Sequence, residues 1–189
     1  MSLIFSRIKY PKILFFIITI IIGGIIFYES IKSPLFHDFI FSLGYIGTLI
    51  GGFFYVFGFT SSPSSALLLV LSKEQNFFLF VLIAGIGSLI SNFLMFKFIR
   101  FSFYDELNLL KKERFIMDID EKFKKRFKKN HHKIYVYISS IFIASPLPTE
   151  IGVTMMASNE DLSLKSFLKI VLILHVCAIV ILFIIGNLI

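Results

Sequence analysis

Uncharged, mostly apolar residues form long blocks along the chain instead of recurring with the period of a strand or of a surface helix. A helical run of about 20 such residues matches a hydrocarbon core about 30 Å thick. Backbone amides in that core find no water, so the blocks must be helical or shielded by neighbouring protein. The blocks cover residues 13–28, 39–72, 77–96, 134–159 and 170–189, and only Glu150 interrupts the fourth. The pattern predicts an all-α, polytopic membrane protein.

The second block, residues 39–72, has the wrong length for whole crossings. Its 34 residues would make one helix about 51 Å long, whereas two crossings would need about 40 residues and a turn. Pro63, near the middle, cannot continue a helix from the N-terminal side, although it suits the first position of a new helix with Ser62 as N-cap. Both observations favour a re-entrant hairpin that enters and leaves the bilayer by one face.

The fourth block, residues 134–159, repeats this pattern in 26 residues. Pro146 and Pro148 break it between a longer and a shorter apolar arm. The block is too long for a turn and too short for two crossings. We therefore predict a second re-entrant hairpin over residues 134–159.

Charge sets the predicted topology. The net charge is +7, and residues 100–133 hold eleven Lys and Arg against six Asp and Glu. This basic segment indicates a cytoplasmic loop beside an anionic leaflet and no nucleic-acid site. Its connector over residues 104–130 is either an amphipathic helix that lies on the leaflet or a plain solvated linker that fixes the orientation. Arg7, Lys9 and Lys12 place the N-terminus in the cytoplasm, ahead of an uncleaved anchor helix. Spanning helices are predicted over residues 13–28, 77–99 and 167–189, with the C-terminus outside the cell membrane.

The two hairpins then start from opposite faces, which makes an inverted repeat. Inverted repeats whose broken helices meet near the midplane recur in membrane transporters. The prolines act structurally here, since each starts a half-helix whose N-terminus can face an anionic head group.

Three segments resemble the DedA family, also called VTT-domain or SNARE-associated-like membrane proteins. They are the break at residues 59–66, the glycine-bearing residues 84–87, and Ser-Pro-Leu-Pro-Thr-Glu at residues 145–150. The resemblance implies movement of lipids or lipid-linked carriers, such as polyprenyl phosphates, across a membrane. Family members often carry an acid where this chain has Ser64 and Ser65, and arginine where residues 142–156 have none, so the chain looks like a small, divergent member.

Glu150 is the first candidate for a substrate- or proton-binding residue. Acids at membrane depth are costly and usually face a cavity or a partner. Burial disfavours its charge and a helix N-terminus favours it, a conflict that suits a proton-sensitive switch. The alternative is a capping residue at the wet mouth of the hairpin. Further candidate hydrogen-bond donors are Thr149, Ser62, Ser64 and Ser65, whose hydroxyls would otherwise satisfy freed backbone groups.

Asn92 and His175 are secondary candidates inside apolar blocks. Interhelical packing explains Asn92, and a hydrogen-bonded core position explains His175; a cavity role and a proton relay are the alternatives.

No enzyme motif is found, and no cofactor or metal is expected. The expected partners are membrane lipids. Glycine-rich residues 47–52 suit close packing either within the chain or between two copies of it, so a homo-oligomer is one of two alternatives. The predicted function is lipid translocation; the alternatives are a small-molecule exporter of the same architecture and a non-transporting membrane scaffold.

Overall fold

The computed structural model describes residues 11–102, 131–144, 149–159 and 162–188. Within these residues the chain forms helices and turns and no strand, so the predicted all-α class is confirmed. The helices are α1 (Pro11–Lys32), α2 (Pro34–Ser42), α3 (Gly44–Tyr55), α4 (Ser61–Leu71), α5 (Phe77–Ser102), α6 (His131–Ala144), α7 (Thr149–Ala157) and α8 (Leu164–Leu188). The predicted connector at residues 104–130 lies outside the described residues, as do Pro146 and Pro148.

Two helices have the length and composition needed to cross a membrane. They cover Phe77–Phe101 and Leu164–Leu188, each 25 residues, with mean hydropathies of 2.2 and 3.0. At 1.5 Å per residue each is about 38 Å long, more than the hydrocarbon core requires. A third candidate is the pair Ile17–Ser30 and Pro34–Ser42, which is bent by 106°. The described helices therefore support membrane insertion with two or three candidate spans.

The first predicted hairpin begins later than residue 39. α2 starts behind Ser33, whose hydroxyl oxygen accepts from the Phe36 amide, and it continues through Phe39 to Ser42. The chain then turns at Leu43 and Gly44, and Gly44 has a φ of 49°, which glycine adopts without steric cost. This turn divides the uncharged block, so the first arm of the hairpin, α3, starts at Gly44.

The chain forms two compact units, which are described separately. Unit 1 comprises Met1–Ser88 and Val176–Ile189, and unit 2 comprises Leu89–His175. In unit 1, α3 and α4 form an antiparallel hairpin in which Gly51 packs on Leu68. The Thr48 hydroxyl lies 2.6 Å from Oε1 of Gln75 just beyond the end of α4. A buried core joins α4, α5 and α8 through side chains that include Leu68, Leu71, Phe80 and Ile179.

Glycines allow backbones to approach closely in unit 1. A Cβ atom on Gly52 of α3 would lie 2.2 Å from the carbonyl oxygen of Ala84 in α5. A Cβ atom on Gly87 of α5 would lie 2.3 Å from the carbonyl oxygen of Leu49 in α3. The two helices therefore touch through their backbones, as small residues permit in membrane proteins.

Unit 2 contains the second pair of short helices. α6 and α7 pack where a Cβ atom on Gly152 would lie 2.6 Å from the carbonyl oxygen of Ser139 and 2.5 Å from Cγ1 of Ile143. The rings of Phe96 and Phe167, with centroids 4.4 Å apart, pack α5 against α8 within this unit. Both phenylalanines are buried, so they form its apolar core.

Candidate functional site

The helix after the break, α4, starts two residues earlier than the sequence predicts. α4 begins at Ser61 with Thr60 as N-cap, so the prediction that Ser62 caps a helix beginning at Pro63 is wrong. Pro63 is the third helical residue, a position where no intrahelical acceptor awaits its missing N–H. The Thr60 hydroxyl does not cap the helix and instead donates to the carbonyl of Phe54 at 2.7 Å. This bond ties the start of α4 to the end of α3.

Two candidate serines at the break make structural contacts. The Ser65 hydroxyl donates to the carbonyl of Ser61 at 2.6 Å, one turn back along α4. Ser62 lies against α1, where a Cβ atom on Gly23 would be 2.4 Å from its Oγ. Ser65 thus satisfies the backbone, and Ser62 packs directly on α1 at Gly23.

Ser64 differs from its neighbours. It is only 6% exposed, and its hydroxyl makes no hydrogen bond with any residue that the structure describes. Together with Thr60 it lines a cavity of about 400 Å³ in unit 1, here called the α1–α4 groove. Apolar side chains from four helices form the rest of its wall, among them Ile26, Ile40, Ile50 and Leu67. The groove therefore presents two hydroxyl-bearing residues within an apolar lining.

Thr149 and Glu150 occupy the first turn of α7 in unit 2. Both residues are half-buried. A carboxylate in the first turn is favoured by the positive end of the helix dipole. The contact of Gly152 with α6 fixes this turn relative to the longer arm. The structure thus brings these two candidates together at the start of the shorter arm.

Asn92 and His175 form a buried pair in unit 2. Nδ2 of Asn92 lies 3.0 Å from Nδ1 of His175, and the two residues are 0% and 3% exposed. This geometry fits the predicted interhelical polar contact of Asn92 and the hydrogen-bonded core position of His175.

The comparisons with known proteins give no match. No protein-family model, curated protein or solved structure matches this chain. Among the described residues, no group of three or more His, Cys, Asp or Glu side chains is placed to hold a metal ion. The described candidates are hydroxyls, one carboxyl group and a histidine–amide pair, which can bind polar groups and exchange protons.

Arg100 is a positioning residue that the sequence pattern did not single out. Its guanidinium donates to the carbonyls of Leu162 at 3.1 Å and Asn159 at 3.5 Å, and it lies over the ring of Phe96. It thereby holds Asn159 and Leu162, which lie between α7 and α8, against α5 inside unit 2. In the sequence, Arg100 looks like the other cations that follow an apolar block and set the topology. Its acceptors are backbone carbonyls, which every residue has, so the sequence contains no sign of this contact.

Proposed function

We propose that the protein is a DedA-like membrane transporter that translocates a lipid or a lipid-linked carrier, such as a phospholipid or a polyprenyl phosphate, across the bilayer. The supporting observation is that both hairpins are built from helices too short to cross. α3 and α4 have 12 and 11 residues, and α6 and α7 have 14 and 9. At 1.5 Å per residue these arms are about 14 to 21 Å long, against a hydrocarbon core of about 30 Å.

In this proposal α1, α5 and α8 cross the bilayer, and each hairpin enters and leaves by one face. The α3–α4 hairpin opens to the outside and the α6–α7 hairpin to the cytoplasm, which makes the inverted repeat. The basic segment after α5 supports a cytoplasmic position for the end of that helix. The N-terminus then lies in the cytoplasm and the C-terminus outside.

Single cysteines at exposed positions test this topology. In a Cys177→Ala background, Lys32→Cys and Glu74→Cys should react with a membrane-impermeant maleimide added to whole cells. Lys133→Cys and Ser163→Cys should react only after the cells are opened. If the α3–α4 hairpin crossed completely, Lys32 and Glu74 would label from opposite faces, and the re-entrant arrangement would be wrong. A permeant maleimide gives the control for intrinsic reactivity at each position.

In this proposal each broken hairpin, taken by itself, brings polar groups to membrane depth. Helices that end before they have crossed the bilayer leave backbone donors, hydroxyls and Glu150 at membrane depth. Lipid tails there have no hydrogen-bonding groups. A lipid head group that moves between leaflets has the same difficulty, because its polar atoms lose water in the hydrocarbon core. Hydrogen bonds from the breaks lower this barrier, while the tails remain in the surrounding lipid. The arrangement therefore suits lipid movement.

Transport by purified protein tests the proposal. Proteoliposomes containing a fluorescent phospholipid in both leaflets are treated with an impermeant quencher, and a fluorescent polyprenyl phosphate serves as the second substrate. With the protein present, we expect quenching to proceed beyond the outer-leaflet fraction for at least one of the two lipids. Vesicles with heat-denatured protein control for leakage. Quenching that stops at the outer leaflet for both lipids, with folded and correctly inserted protein, would overturn the proposal.

A further inference from the structure

We propose that the α1–α4 groove binds one acyl chain of a membrane phospholipid, with the ester carbonyl of that chain hydrogen-bonded to the Ser64 hydroxyl. The inference rests on the proposed function, because that function makes a lipid the ligand. It adds a binding site, the part of the lipid that is recognised, and the residue that recognises it.

The shape and chemistry of the groove suit a hydrocarbon chain. Helices α1, α2, α3 and α4 all contribute to the wall, and the volume of about 400 Å³ is within the range of small-molecule sites. The mostly apolar lining offers a water molecule few hydrogen-bond partners. Inside a bilayer, the abundant molecule that can fill such a space is a lipid chain.

Ser64 supplies the independent indication of a ligand. Its side chain is more than nine-tenths buried, lines the groove, and has no hydrogen-bond partner in the described part of the chain. A hydroxyl on the wall of the groove can donate to an acceptor on a bound molecule. Ser65, the next residue, makes the usual bond to the carbonyl four residues back, so the state of Ser64 is not a general property of serines in this helix.

The lack of charged residues in the lining indicates which kind of acceptor the groove can bind. The described residues of its lining include no Lys, Arg, His, Asp or Glu. A phosphate there would bring a charge without a counter-charge, which is costly away from water. An ester carbonyl is an uncharged acceptor joined directly to a hydrocarbon chain. The acyl part of a phospholipid therefore matches the groove better than the phosphate end of an isoprenyl carrier.

Photo-crosslinking of the full-length protein in detergent tests this assignment. The probe is a phosphatidylglycerol that carries a diazirine on one acyl chain, titrated against constant protein, and labelled peptides are identified by mass spectrometry. We expect saturable labelling at groove residues such as Ile26 and Leu67. Labelling at Leu82, an exposed position on α5 outside the groove, should instead rise in proportion to the probe.

Three comparisons isolate the hydrogen bond. Ser64→Ala should raise the half-saturating concentration about 2- to 10-fold, the effect of one net hydrogen bond. Ser65→Ala, whose hydroxyl bonds within α4, should leave it unchanged. A diazirine alkane without any oxygen should bind wild type and Ser64→Ala equally. A diazirine isoprenyl phosphate should bind more weakly than the phospholipid.

Several outcomes would overturn the inference. These are labelling of the groove that never saturates, an unchanged titration in Ser64→Ala, or tighter binding of the isoprenyl phosphate. Protection of the groove by a second copy or by residues 1–10, seen as a protein crosslink in place of lipid label, would do the same. Labelling needs no transport, so the two ideas fail separately: saturable labelling without translocation refutes the proposed function, and translocation without saturable labelling refutes the groove.

Discussion

Replacing Gly52 by alanine is expected to destabilise the folded protein severely. A Cβ atom at this position would lie 2.2 Å from the carbonyl oxygen of Ala84 and 2.7 Å from its Cα. Both are backbone atoms of α5, so no side-chain rotation relieves the overlap and the helices must separate. The opposing Gly87 makes the same kind of contact with α3, so separation loses packing along the whole crossing. Overpacking of this kind costs about 1–3 kcal/mol or more.

The measurement is thermal unfolding of purified protein in detergent, followed by circular dichroism at the helix band. Gly24→Ala is the matched control, because no atom lies within 4 Å of its added Cβ. In that exposed helical position alanine should leave the melting temperature unchanged or raise it slightly. Equal melting temperatures for Gly52→Ala and wild type would show that α3 and α5 do not approach as closely as described.

Replacing Glu150 by glutamine is expected to reduce lipid translocation by about tenfold or more, the rate equivalent of losing one charged hydrogen bond. Among the described residues of α3, α4, α6 and α7, Glu150 is the only acidic side chain. Glutamine preserves its size and its place in the first turn of α7, but it can neither carry the charge nor exchange the proton. The initial rate of lipid movement in proteoliposomes measures the effect.

Two variants control this experiment. Glu150→Asp keeps the carboxyl group and should retain more transport than Glu150→Gln. Glu74→Gln changes an exposed acid in the turn after α4 and should transport as wild type does. Unchanged transport by folded Glu150→Gln would remove Glu150 from the mechanism and support the alternative that it only stabilises the start of its helix.

The fold class was predictable from the sequence because the thickness of the bilayer sets the length of the uncharged blocks. A break near Pro63 was predictable because proline cannot continue a helix from its N-terminal side. The turn at Gly44 was not, since a glycine with positive φ inside an apolar block has the same composition as a helical glycine. The start of α4 was also displaced, because the Thr60 hydroxyl is held by the Phe54 carbonyl and only the folded hairpin brings the two together.

The candidate site was predictable only as a group of residues. Ser62, Ser64 and Ser65 are the same residue type in one short segment, so the sequence does not distinguish them. In the structure each has a different environment. Ser62 meets a glycine of α1, Ser65 bonds within its own helix, and Ser64 lines the groove. These differences arise from the helices that surround α4, and a pattern along one segment does not contain that information. Arg100 was overlooked for the same reason, since its acceptors lie about sixty residues away in the chain.

Unit 1 is assembled from both ends of the described chain, with unit 2 inserted between them. Phe183 of α8 packs on Phe77 and Phe80, and the Asn187 side chain donates to the carbonyl of Ser72. During synthesis, the first five helices therefore leave the ribosome long before the residues that close their core. Until α8 is made, the side chains that it covers lack their partners. Completion of the unit 1 core therefore requires α8, and a chain that ends before α8 would leave Phe77 and Phe80 without these contacts.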